Sequence, residues 1–144
     1  MRRIMLAWLL TLFSLPVVAE QSVEFGDYTI HYNAFPTTIL PAEVARGYGI
    51  TRSKSRGLLN VTVLKKVLGT SSRPVEATLR VTAVNLTGQV REIPMRKVEE
   101  ENAIYYLGEF VVRNEETLRF TVEVLPEHQG PGTKVEFSQQ FFTD

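Results

Sequence analysis

The chain has 144 residues, with 16 basic and 16 acidic side chains that leave no formal net charge, and it contains no cysteine. That balance is far from the strongly basic one of a nucleic-acid-binding domain. Without cysteine the chain has neither a disulfide framework nor a lipidated N-terminal thiol.

The first element is a secretory signal. Arg2 and Arg3 form a positive n-region, Ile4 to Leu15 an apolar stretch, and Val17-Val18-Ala19 places small or short residues before a cut ahead of Glu20. The apolar stretch is shorter than the roughly 20 residues of a membrane span, and Pro16 interrupts it. These features predict residues 1–19 as a cleaved signal peptide and a periplasmic mature protein with no transmembrane segment. The 144 residues less these 19 leave 125, and without Arg2 and Arg3 there are 14 basic against 16 acidic side chains, a net charge of −2. A chain of that length buries an adequate core without disulfides, so residues 20–144 read as one domain.

From Ser22 onward apolar residues recur with a period of two, the mark of half-buried strands. A first strand carries Val23, Phe25, Tyr28, Ile30 and Tyr32, with a phase break at Gly26-Asp27. A second runs from about Gly57 to Val67, and a third alternates Val75, Ala77, Leu79, Val81 and Ala83. A short strand follows at Val90–Lys97, where Pro94 points to a sheet edge. Ile104, Tyr106, Phe110 and Val112 make another inward set, with Gly108 at a bulge or close approach. Leu118, Phe120, Val122 and Val124 form the sixth strand, and Val135, Phe137 and Phe141 the last. Turn residues at Thr87-Gly88, Glu99–Asn102, Arg113–Glu116 and Glu127–Gly132 separate these runs. About seven antiparallel strands with regular turn signals predict an all-β, two-sheet sandwich of immunoglobulin or fibronectin type. A small closed barrel is the alternative.

Asn33–Arg56 breaks the alternation. Pro41–Arg46 reads as one helical turn, with Pro41 at its first position and Gly47 at its stop. Such a long connection is either functional or packed. In the packed case Phe35, Ile39, Leu40, Val44 and Tyr48 would cover one end of the core as the chain crosses between sheets.

This segment also carries a resemblance. It holds Tyr32-Asn33-Ala34-Phe35, then Leu40-Pro41-Ala42-Glu43-Val44-Ala45, then Tyr48-Gly49-Ile50-Thr51-Arg52-Ser53-Lys54, and Gly57-Leu58-Leu59-Asn60-Val61. The run resembles the signature of a family of small exported bacterial proteins classed as a domain of unknown function. Ala42, standing between Pro41 and Glu43, departs from that pattern. The resemblance implies a β-rich periplasmic domain and supplies no activity, cofactor or catalytic residue.

The residues themselves offer little chemistry. His31 sits mid-strand and His128 in a Gly/Pro-rich turn, neither beside a nucleophile elbow. Two separated histidines and no cysteine make no zinc site, and Glu99-Glu100-Glu101 lacks the spacing of a calcium loop. No cofactor is expected. The basic cluster stands out: Arg46, Arg52, Lys54 and Arg56 lie within eleven residues free of acid. On an extended segment Arg52, Lys54 and Arg56 would share one face. Their charges are met either by acidic side chains of neighbouring strands or by an anionic ligand, which arginine's planar fork suits. The resulting expectation is a non-catalytic binding or interaction module. Its candidate residues are Tyr48, Arg52, Lys54 and Arg56, and its partner an anionic envelope ligand or another envelope protein. A chaperone-like or structural envelope protein that pairs through a strand edge, at the Pro94 strand or at Lys134–Phe142, is the first rival. An enzyme is the second.

Overall fold

The computed structural model describes residues 21–68, 72–127 and 132–144. The signal peptide, its cut before Glu20, and His128 lie outside them. Among the described residues ten strands form two antiparallel sheets, a β-sandwich as the period-two pattern predicts. The larger sheet contains β1 (Gln21–Phe25), β2 (Tyr28–Pro36), β3 (Arg56–Lys65), β4 (Arg73–Pro74), β7 (Arg96–Glu100) and β8 (Ala103–Val111). Its order is β1-β2-β3-β8-β7, with β4 paired to β3. The smaller sheet has the order β10-β9-β5-β6, built from β5 (Ala77–Asn85), β6 (Val90–Ile93), β9 (Glu116–Pro126) and β10 (Thr133–Phe141).

The strand count exceeds seven for local reasons. The phase break at Gly26-Asp27 is a tight turn with Gly26 at φ +56°, so the first run is a hairpin in which Phe25 opposes Tyr28. The two-residue β4 carries no periodic signal and joins β3 at Leu64↔Pro74 and Lys65↔Arg73. The Val90–Lys97 run is two strands, not one. Proline cannot donate to a ladder, and at Pro94 the chain leaves β6 in one sheet and enters β7 in the other. Both halves are edge strands, in keeping with the proline.

Gly108 is where this crossover fits. A Cβ there would overlap Met95 Sδ and Ile93 Cγ2 and crowd the Pro94 carbonyl, so only glycine lets the segment pass so close to β8.

Between the sheets lies an aromatic core. Phe120 is fully buried and stacks on Phe137 with ring centroids 4.9 Å apart at 15°. Phe110 meets Phe120 and Phe141 edge-on at 5.2 and 5.4 Å, and Tyr32 lies 4.7 Å from Phe137. Offset or edge-on ring pairs at such spacings are the favoured aromatic geometries. Ile30, Leu59, Val61, Val63, Val81, Leu118, Val122 and Val124 fill the space around them.

Candidate functional site

The Asn33–Arg56 segment is only partly loop. β2 continues through Pro36, a 3-10 turn spans Thr37–Ile39, and α1 covers Ala42–Gly47. Pro41 is the N-cap of α1 rather than its first residue. The stop is Gly49 at φ +68°, not Gly47. The Gly49 amide donates to the Arg46 carbonyl (3.1 Å) and the Ile50 amide to the Ala45 carbonyl (2.8 Å). This pair of bonds is a Schellman cap, which needs a left-handed residue that glycine supplies without strain. Its accompanying apolar contact is present, because Ala45 and Ile50 belong to one buried cluster.

That cluster fixes the segment's place. β2 and β3 are neighbours in the same sheet, so the segment is not a crossover between sheets. It folds back as a flap over the outer face of the larger sheet. Ala45 and Ile50 are buried there on Leu58 and Leu107, flanked by Phe35, Leu40, Tyr48, Val98 and Tyr105. Ile39 and Val44, expected in the packing, are 55% and 40% exposed. Thr37, completely buried, closes the flap's base: its Oγ1 donates to the Ser53 carbonyl (3.0 Å) and accepts from the Ser53 amide (2.8 Å).

Of the four candidate residues, Tyr48 is turned to the sheet. Its hydroxyl donates to Glu100 Oε1, its carbonyl accepts from the Arg96 guanidinium, and its ring meets Tyr105 edge-on at 6.5 Å. The bond to the Glu100 carboxylate, helped by partial desolvation and the Glu100 charge, pushes the Tyr48 hydroxyl up to about 12. Arg52 lies elsewhere on the flap and donates to the Thr38 carbonyl at 3.0 Å. Lys54 lies within a turn that Arg56 closes, not on an extended run. The Arg56 amide donates to the Ser53 carbonyl (3.2 Å), and the Ser53 and Ser55 hydroxyls are bonded to each other (3.0 Å). The alternation that would align three cations on one face is therefore absent.

Among the described residues no acidic side chain pairs with Arg46, Arg52, Lys54 or Arg56. The cations that are paired lie elsewhere, such as Arg91 with Glu116 (2.9 Å) and Arg80 with Glu92 (3.0 Å). A concavity of about 990 Å³, lined by Asp27, Lys65, Lys66, Leu68 and Arg73, sits at the opposite end of β3 from the basic turn. Among the described residues no group of three or more His, Asp or Glu side chains converges.

Two polar groups gave no sequence signal. Asn60 Oδ1 and Glu109 Oε1 are buried without a hydrogen-bond partner among the described residues. They are diagonal neighbours across β3 and β8, because Asn60 opposes Leu107 and Leu58 opposes Glu109. Both occupy strand positions that face away from the inter-sheet core. Only the flap's cover makes such positions buried, and the sequence does not announce that cover.

Fold and flap together define a two-sheet β-sandwich whose larger sheet is covered on both faces at its centre. The chain belongs to the family described as Domain of unknown function DUF4426, which matches residues 22–144. It is similar to the crystal structure of a DUF4426 family protein from Pseudomonas aeruginosa PAO1, with 39% identity and a TM-score of 0.73, covering 87% of this chain and 96% of that one. It shares its fold with FetP of uropathogenic Escherichia coli strain F11, recombinantly expressed in the periplasm, at 14% identity and a TM-score of 0.60, covering 86% and 94%. A copper-bound variant of FetP matches at 14% identity and a TM-score of 0.59, covering 85% and 95%. No curated protein matches this chain. Among the described residues no helix is long and apolar enough to cross a membrane.

Proposed function

We propose that this protein is an exported, non-catalytic binding module of the periplasm, and that Arg52, Lys54 and Arg56, with Arg46 nearby, take an anionic envelope partner bearing phosphate or carboxylate groups. One observation carries the reading: four cations stand within eleven residues and none has an acidic partner among the described residues. Exposed guanidinium groups without an acidic partner keep donors for contact with phosphate or carboxylate, Arg52 those not given to the Thr38 carbonyl. In this reading Tyr48 is a positioning residue, anchoring the start of the basic segment to Glu100 and Arg96. The Arg2-Arg3 n-region and the Val17–Ala19 cut support export, and the fold shared with a protein expressed in the periplasm agrees with it.

The test uses phosphate- and carboxylate-bearing resins with protein purified from the periplasm. Wild type is retained at low salt and released as salt rises, and Arg52→Ala combined with Arg56→Ala abolishes retention. Wild type flowing through both resins at low salt overturns the reading. Mass spectrometry of the same preparation gives Glu20 as the first residue; an intact Met1 defeats the export part.

A further inference from the structure

Among the described residues five strands have an open side, and four are blunted; β4, paired only to β3, has two residues. β1 and β7 are five residues long and β6 is four. β6 and β7 end at the Pro94 crossover, and β7 carries Arg96, Lys97, Glu99 and Glu100 in its five positions. Short length, charge and proline are the usual means by which an edge avoids pairing with another chain.

β10 is neither short nor interrupted by proline. It runs nine residues from Thr133 to Phe141, without Pro or Gly and without a left-handed residue, and its only charges are Lys134 and Glu136. One side pairs with β9 along its whole length. No strand among the described residues pairs with the other side. Phe137 marks the open seam. It faces inward and stacks on Phe120 and Tyr32, yet it is only half-buried, whereas Val135 and Phe141 on the same face are fully buried.

We infer that β10 pairs with β10 of a second copy of this chain, antiparallel and centred on Phe137, joining two four-stranded sheets into one of eight. The sequence of β10 accommodates that register without a clash of charge. Thr133 opposes Phe141, Lys134 opposes Gln140, Val135 opposes Gln139 and Glu136 opposes Ser138, so all nine residues pair and no like charges stand directly opposite. Phe137 meets its own copy across the two-fold axis, which covers the exposed part of both rings. A two-fold axis requires such an isologous contact, the same patch on both copies. The flap and its cations belong to the other sheet and stay uncovered.

Sedimentation of the full mature protein tests this: wild type is a dimer that dissociates on dilution. Ser138→Glu sets the introduced carboxylate of each copy opposite Glu136 of the other, at two symmetric points, and weakens the dimer roughly tenfold. Adding Glu136→Lys to that variant turns both oppositions into ion pairs and restores the dimer. Because the chain has no cysteine, Glu136→Cys with Ser138→Cys reports the register directly, giving a covalent dimer on mild oxidation. Wild type that stays monomeric at every concentration overturns the inference, whether or not an extended peptide binds the edge instead. A dimer that Ser138→Glu leaves untouched and that the cysteine pair does not cross-link also overturns it.

Discussion

The Tyr48 hydroxyl donates to the carboxylate of Glu100, 52 positions later in the chain, and fastens the end of α1 to the edge strand β7. Besides its apolar underside the flap is held by the Thr37–Ser53 pair across its base, by the Val112 amide donating to the Ser55 carbonyl (2.8 Å), and at its far end by Tyr48, whose carbonyl also accepts from Arg96.

Tyr48→Phe removes the hydroxyl's bond to Glu100 and keeps the ring and the Arg96 bond to the Tyr48 carbonyl. The loss is at most about 1 kcal/mol, because the bond is exposed and screened by water. Its pH dependence has a definite sign. The hydroxyl ionises near 12 in the folded chain, above the 10.0 of a free tyrosine, so its contribution is complete below pH 10 and disappears as pH rises through 12. Thermal unfolding of wild type and Tyr48→Phe gives a constant difference up to pH 10 that closes above it. A difference that grows with alkalinity contradicts this geometry.

Leu58→Ala is expected to cost about 2–5 kcal/mol in urea unfolding, the range for a buried leucine. Leu58 has the strand parity of a solvent-facing residue, but it is 2% exposed beneath Ala45 and Ile50. A loss below about 0.5 kcal/mol, typical of a surface site, shows that the flap does not pack there in solution.

Gly108→Ala tests the crossover. The added methyl meets Met95, Ile93 and the Pro94 carbonyl, and the backbone among them cannot yield cheaply. Destabilisation of roughly 1–3 kcal/mol is expected, as for other overpacked sites. Gly47→Ala is the control, because nothing lies near the new methyl and the backbone there is helical. Equal stability of the two variants refutes the close approach.

Arg52→Ala with Arg56→Ala leaves stability within about 0.5 kcal/mol of wild type. Neither guanidinium has an acidic partner among the described residues, and Arg52 gives up only its bond to the Thr38 carbonyl. Calorimetry run beside the resin assay separates lost binding from lost folding. A large fall in melting temperature shows the arginines to be structural.

Where one face of a strand is dry and the other wet, the sequence shows it plainly. β9 alternates buried Leu118, Phe120, Val122 and Val124 with Arg119, Thr121 and Glu123. At the centre of the larger sheet that contrast is lost, since Leu58 and Leu59, like Tyr106 and Leu107, are buried on opposite faces. A period-two reading assigns one of each pair to solvent and misses the second cluster. Pro94 marks an edge correctly, but a single proline between two short runs does not say that they belong to different sheets. The basic cluster is visible as composition. Its geometry is not: the Ser53–Arg56 turn is held by serine hydroxyls and a backbone bond, and Tyr48 finds its partners on a distant strand.

The change of sheet at Pro94 has a mechanical consequence. β6 and β7 are consecutive in the chain yet hydrogen-bonded into opposite layers, and beside them Arg91 of β6 donates to the Val111 carbonyl of β8 at 2.7 Å. A force that parts the layers along this side loads the main chain itself instead of opening side-chain contacts one after another. The far side, where β10 and β2 meet through rings such as Phe137 and Tyr32, has no such tether among the described residues and is the side from which the sandwich would gape.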